Sequence, residues 1–223
     1  MSKKLLFEAI IKVLAGITLV GLLIFIPAGT FRYTNGWILM LLLFVPMIVA
    51  GIVMMIKNPE LLKRRLNAKE QQKEQSTVVK ISGIMFVFGF VVAGLDFRFG
   101  WSDLPMFLII CASVIFVLGY LLYAEVIREN EYLSRTIQVE ENQMVVDRGL
   151  YGIVRHPMYS ATLLLFLSMP LILGSLWSFI IFLMYPFIIA TRIKFEERFL
   201  EKELKGYTEY KKKVKYRIIP YIW

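Results

Sequence analysis

The sequence predicts an all-α integral membrane protein of about six transmembrane helices, the last two forming a short hairpin. Three observations carry that reading. Of 223 residues, 58% are hydrophobic, too many for one soluble core. The apolar residues fall into long runs. Between them, 24 of the 26 Lys and Arg residues fall in segments that alternate topology puts on one face, leaving Arg32 and Arg98 for the other. A net charge of +9 distributed in this way points to a membrane surface and away from nucleic acid.

Lys3 and Lys4 precede an apolar stretch from about Leu5 to Ile26. Ala28 and Gly29 follow Pro27 and make a weak cleavage site, so an uncleaved first span is expected. Glu8 and Lys12 stand one turn apart near its start and can pair at the interface. Pro27, Gly29, Asn35 and Gly36 turn the chain, and a second span runs from Trp37 to about Ile56, with Tyr33 and Trp37 at headgroup level. A basic segment follows at 57–80. Asn58-Pro59 caps and starts a helix, and Glu60 to Leu66 continues it with leucines on one side, the pattern of a helix lying on a membrane.

A third span is expected over Ile81–Leu95, where Gly83, Gly89 and Gly94 allow close helix packing. An aromatic loop spans 96–103. A fourth span covers Leu104–Ile127, with Pro105 in its first turn and Glu125, Arg128, Glu129 and Glu131 at its polar exit. Cys111, the only cysteine, lies inside this run and reads as a small buried hydrophobe. Thr136–Val146 alternates like an extended pair around a turn at Glu140–Asn142 and could cover a site at the membrane face. Two short apolar runs, to Leu173 and from Leu176 to about Thr191, flank Gly174-Ser175 as a helical hairpin that Pro170 and Pro186 should kink. The chain thus divides into a four-span region, 1–130, with its basic loop at 57–80, and a region expected to carry the catalytic chemistry, 131–223, which includes the helical hairpin and the C-terminal tail. The positive-inside rule assigns both termini, the 136–159 segment and the tail to the cytoplasm.

Two clusters carry chemistry. Gly149-Leu-Tyr-Gly-Ile-Val-Arg-His-Pro-Met-Tyr159 holds the sole histidine, His156, between Arg155 and Pro157, with Tyr151 and Tyr159 close by. Pro157 suits the first turn of a helix, whose N-terminus beside basic groups can hold an anion; a basic loop anchoring a helix at the headgroups fits these residues equally. The second cluster is Arg192-Ile-Lys-Phe-Glu196-Glu197, in which Arg192 and Glu196 share a helix face at i, i+4. Adjacent carboxylates at a membrane boundary are costly unless solvated, paired or used. Glu201 and Glu203 read as surface partners of nearby lysines on a C-terminal amphipathic helix. The tail from Gly206 mixes Tyr207 and Tyr210 with charge, as a membrane-surface anchor would. Ionisable groups gathered at one face, and not scattered within the spans, speak against a transporter or scaffold.

The ordered set Gly149-x-Tyr151-x-x-x-Arg155-His156-Pro157-x-Tyr159, Arg192-x-x-x-Glu196-Glu197-x-x-Leu200, Gly206-Tyr207-x-x-Tyr210 and Pro220 resembles the isoprenylcysteine carboxyl methyltransferase family and the related membrane phospholipid methyltransferases. The resemblance covers about the last 90 residues, with Asn58-Pro-Glu-Leu-Leu62 as the other family signal. It implies S-adenosylmethionine in a pocket at the cytoplasmic face. Tyr151, His156, Pro157 and Tyr159 would line that pocket, with Glu197, Tyr207 and Tyr210 closing it from the tail. Arg192 and Glu196 would stand nearest the transferring methyl group. By their chemistry, Arg155 or His156 can meet the cofactor carboxylate, and tyrosines the ring or sulfonium. The acceptor would be a lipophilic small molecule or lipid, a prenylcysteine-like carboxylate or a lipid amine, reached among membrane lipids; no metal is implied. The chain lacks the Gly-rich loop and strand–helix alternation of a soluble Rossmann methyltransferase. A membrane NADPH-dependent sterol-type reductase has a similar Arg-His-Pro-x-Tyr segment and a similar ending to Tyr216–Trp223, whereas the Arg192–Glu197 element favours the methyltransferase.

Overall fold

The computed structural model describes residues 3–67, 73–130, 132–134, 136, 139 and 142–223, the side chains of residues 73 and 74 excepted. Four long helices come first in chain order, interrupted by one short one: α1 (Lys3–Ala28), α2 (Thr34–Lys57), the short α3 (Pro59–Leu66), α4 (Lys73–Phe99) and α5 (Met106–Glu129). A 3₁₀ turn at Gly149–Gly152 leads to α6 (Pro157–Ile172), α7 (Leu176–Phe182), α8 (Tyr185–Glu203) and α9 (Tyr207–Lys213). Among the described residues, five helical runs are long and apolar enough to cross a membrane, the fifth being Leu176–Glu203, in which α7 and α8 follow one another. The protein is therefore a multi-pass membrane protein. The remaining expected span, α6, is an apolar helix of 16 residues and so extends about 24 Å, shorter than a hydrocarbon core of about 30 Å.

Local chemistry explains several elements. Asn58 caps α3 by accepting from the Leu61 N–H, with Pro59 in the first turn, and Leu61 and Leu62 are buried beneath it. Lys12 donates to Glu8 Oε1 at 2.6 Å and to the carbonyl of Leu66, tying α1 to the end of α3. Other expectations change. α4 extends beyond 81–95 at both ends, so the basic 57–80 segment contains its start and Asp96 to Phe99 belong to a helix and not to a loop. Pro105 precedes α5. Pro186 opens α8 and does not kink it, since its missing N–H is harmless there. Cys111 is exposed on α5, because a span can satisfy an apolar side chain with lipid instead of protein. Of the three α4 glycines, Gly83 meets nothing, whereas a side chain at Gly89 would strike Phe182 and one at Gly94 the Ile24 carbonyl oxygen, 2.5 Å from the Cβ position. Within the expected extended pair, Ile137, Glu140 and Glu141 lie outside the described residues, and the described Val139 and Met144–Val146 form no strand.

At the end of the bundle away from the tail, the α6–α7 turn is held from inside. The Tyr33 hydroxyl donates to the Leu173 carbonyl at 2.5 Å. Asp96, 1% exposed, accepts from the Ser102 N–H and hydroxyl, both at 2.7 Å, and from the Ser175 hydroxyl. Ser175 Oγ in turn caps α7 by accepting from the Ser178 N–H. This knot fixes the far end of α6 and hence the height of its N-terminus. Asp96→Ala leaves those donors buried without an acceptor and should cost about 1–3 kcal/mol. The thermal midpoint in detergent should fall, and less for Asp96→Asn, which keeps one carbonyl oxygen; equal midpoints for all three proteins would refute the knot.

Candidate functional site

At the opposite end, the N-terminus of α6, the end of α8 and the tail converge. His156 stands at the N-cap with Pro157 beginning the helix. The preceding 3₁₀ turn is seated by Glu129, which accepts from the Leu150 N–H at 2.8 Å. Gly149 has φ +58, a conformation that favours glycine, and a Cβ there would displace the Glu129 carboxylate that seats the turn. The tail then runs back along the motif. Arg155 and His156 donate their backbone N–H groups to the carbonyls of Tyr216 and Arg217, at 2.9 and 2.8 Å, and Ser160 Oγ donates to Ile218.

Glu197 is the hub of this assembly. It is 2% exposed and accepts from Arg155 Nε at 2.7 Å, from Arg217 Nε and Nη2 at 3.1 Å each, and faces His156 Nε2 at 3.3 Å. Lys211 Nζ lies 3.8 Å away. A lone buried carboxylate would be prohibitive; one with three cationic or ring N–H partners is compensated. Arg155 is equally committed, donating from Nη1 to the Val214 and Lys215 carbonyls at 2.6 and 2.8 Å.

One helical turn of side chains away, Tyr159 links the second cluster. Its hydroxyl donates to Glu196 Oε2 at 2.5 Å and accepts from Arg192 Nε at 2.9 Å. The i, i+4 relation of Arg192 and Glu196 thus presents both to one phenol on α6. His156 Nδ1 is 3.9 Å from Glu196 Oε1, and its ring lies nearly parallel to that of Tyr159.

A cleft opens over these groups, lined by Tyr151, Arg155, His156, Tyr159, Arg192 and Glu196, with Tyr207 and Tyr210 on the tail side. Met158, Leu200 and Leu204 supply apolar wall, Thr136 and Gln143–Val146 come from the segment expected to cover a site, and Asn130, Tyr132, Leu133 and Ser134 line the cleft beside them. Of the expected cofactor residues, Pro157 and Glu197 are absent from the lining: Pro157 is buried as the start of α6, and Glu197 lies behind the wall. Tyr151 Oη accepts from Asn130 Nδ2 at 2.9 Å, and Tyr210 Oη donates to the Tyr151 carbonyl at 2.7 Å. Tyr207 Oη is buried without a hydrogen-bond partner among the described residues. Burial first, then the charges of Glu197 and Glu196, push the Tyr207 phenol well above its ordinary pKa, so it stays a neutral donor.

Sequence reasoning missed three contributors. Asn130 gave no signal beyond ending a span. Gln75 is fully buried on α4 and donates to the Arg192 carbonyl at 3.3 Å; a glutamine in a basic segment carries no mark of this. Arg217 sat in plain view within the Tyr216–Trp223 ending, yet its side-chain target is twenty residues upstream.

Comparison with known proteins places these features in a family pattern. Residues 107–206, from α5 to the start of the tail, match the sequence profile of the phospholipid methyltransferase family, to which the isoprenylcysteine methyltransferase-like proteins belong, so the resemblance read from the sequence holds. A curated relative, the Delta(14)-sterol reductase of Mus musculus, is 29% identical over 134 residues, 54% of this chain and 32% of that protein. The chain therefore spans about a third of the length of that relative.

Glu197→Ala would leave Arg155, Arg217 and His156 crowded without their anion, at about 3–5 kcal/mol, the range for breaking a buried pair. The expected outcome is a lower thermal midpoint and faster proteolysis within 211–217, with Glu197→Gln intermediate. Wild-type proteolysis in the alanine variant would show that the tail is held by other means.

Proposed function

We propose, from a chain whose residues 107–206 carry the phospholipid methyltransferase pattern, that this protein is an S-adenosylmethionine-dependent membrane methyltransferase acting on a lipophilic acceptor at the cytoplasmic membrane face. The observation that carries the reading is the Arg192–Tyr159–Glu196 chain lining a cleft at one end of an apolar bundle. The residues fit the cofactor: Tyr207 offers a buried, unsatisfied hydroxyl, and the rings of Tyr151, Tyr207 and Tyr210 suit a flat base and a cationic sulfur. His156 lines the cofactor pocket, and Arg155 acts from behind by fixing the tail.

Bound S-adenosylmethionine supplies an activated methyl group on a positively charged sulfur. Transfer from it is an in-line displacement, so the protein contributes positioning and electrostatics and needs no covalent intermediate. Arg192, oriented through Tyr159, holds an anionic acceptor and replaces its water. Glu196, presented by the same phenol, takes up the proton where the acceptor atom carries one. The apolar wall from Met158 and Leu200 accommodates an acceptor approaching from lipid.

Similarity to the sterol reductase favours a second reading, a membrane reductase in which the same cleft holds NADPH. Calorimetry on detergent-solubilised protein separates the two: S-adenosylmethionine should bind and NADPH should not, and binding of NADPH alone would sink the methyltransferase. A second measurement targets the hydroxyl. Because Tyr207 Oη has no hydrogen-bond partner among the described residues, Tyr207→Phe should keep the thermal midpoint of the wild type while weakening S-adenosylmethionine binding 2- to 10-fold, about 0.5–1.5 kcal/mol for one hydrogen bond. Unchanged affinity would remove Tyr207 from the cofactor site.

A further inference from the structure

We infer that Arg217 is a positioning residue of this site, orienting His156 through Glu197 and making tail docking and imidazole placement a single event. The inference deepens the methyltransferase reading and, for its binding consequence, rests on it.

Arg217 makes contacts on three sides. Its Nε and Nη2 both reach Glu197 Oε2 at 3.1 Å, occupying the carboxylate oxygen opposite the one that faces the imidazole. Its guanidinium lies over the Trp223 ring, 5.1 Å from the centroid, and its backbone N–H donates to the Trp223 carbonyl at 2.8 Å. Its own carbonyl accepts the His156 backbone N–H at 2.8 Å. One residue therefore grips His156 twice, through the main chain directly and through the side chain by way of Glu197.

The division of the Glu197 oxygens shows why this orients the ring. Oε1 receives Arg155 Nε and faces His156 Nε2; Oε2 receives Arg217 and has Lys211 3.8 Å away. With Oε1 held by Arg155 and Oε2 by the Arg217 guanidinium, the carboxylate is restrained at both oxygens about its terminal torsion, which is otherwise broad. A carboxylate only accepts, so His156 Nε2 carries a hydrogen toward it, and Nδ1 is turned to the side of the cleft where Glu196 Oε1 lies at 3.9 Å. Without Arg217 the carboxylate is held at Oε1 alone, and the imidazole faces a partner fixed at one oxygen in place of two. Outer partners that orient a binding imidazole act in this way around metals, where their removal lowers affinity about 10- to 100-fold.

His156 is the only histidine in the chain, so its imidazole signals in ¹⁵N-histidine-labelled protein are free of overlap. In cofactor-free wild-type protein, the Nε2 proton should give a resonance protected from solvent exchange. In Arg217→Gln that resonance should shift or vanish by exchange, and S-adenosylmethionine affinity should fall about 10-fold. Arg217→Lys keeps the charge without the fork and should show the same changes at smaller size, which provides a reading even where the glutamine variant is poorly folded. In a Glu197→Gln background, Arg217→Lys should change neither signal further. An unmoved His156 resonance in both single variants overturns the inference, as does a moved resonance with unchanged affinity. Since the resonance is read without cofactor, failure of the wild type to bind S-adenosylmethionine would count against the methyltransferase and leave the orienting role to be decided by the spectrum.

Discussion

The buried carboxylate of Glu197 is the interaction on which the functional end of this protein depends. It joins α8 to the N-terminus of α6 through Arg155 and His156, and both to the tail through Arg217. These elements are far apart in sequence, and none of them packs by apolar contact alone. Placing three nitrogen partners around one carboxylate in a poorly solvated place offsets the penalty each would carry singly. It also makes the arrangement all-or-none: removal of one member strands the others.

The membrane imposes the complementary constraint at the far end. Irregular backbone at membrane depth must find its hydrogen bonds within the protein. The break between α6 and α7 meets that demand through the Tyr33 hydroxyl on the Leu173 carbonyl and through Asp96, which gathers two serine hydroxyls and one N–H. α6 is thus pinned at both ends, by a polar knot on one side and an ionic one on the other. Between them its sides are occupied by α5, which fits Gly119 against Leu164 and Leu165, and by the α4 aromatics, where Phe86 meets Phe166 edge to face.

What the sequence reveals follows from which forces are local. The spans, the Asn58 cap, the Glu8–Lys12 pair and Pro157 at a helix start were all readable, because each depends on residues within a few positions. The two reactive clusters were readable as chemistry, and the structure brings Arg192, Glu196, His156 and Tyr159 together. The division of labour inside them was not. Arg155 and Glu197 have the same composition as a ligand pair, but here they face each other, and only three-dimensional placement distinguishes a group that waits for a ligand from one already satisfied. Asp96 was assigned to a loop because its α4 continuation has no periodic signature, and Gln75 has a side chain whose burial nothing nearby in sequence announces. The short length of α6 has a related reason: apolar composition records what an environment tolerates, whereas length is limited by where Gly174 permits the turn.

The backbone bonds from Arg155 and His156 to Tyr216 and Arg217 have a consequence for how the protein is made. Residues 214–223 follow α1 to α9 in chain order. Synthesis therefore delivers the apolar helices to the bilayer before the strap that completes the cleft exists. During that interval the ionic hub lacks Arg217, and the N–H groups ahead of α6 lack their carbonyl partners. Completion of the cleft is thus the docking of a short segment, rich in apolar and aromatic residues, onto helices that precede it in the chain.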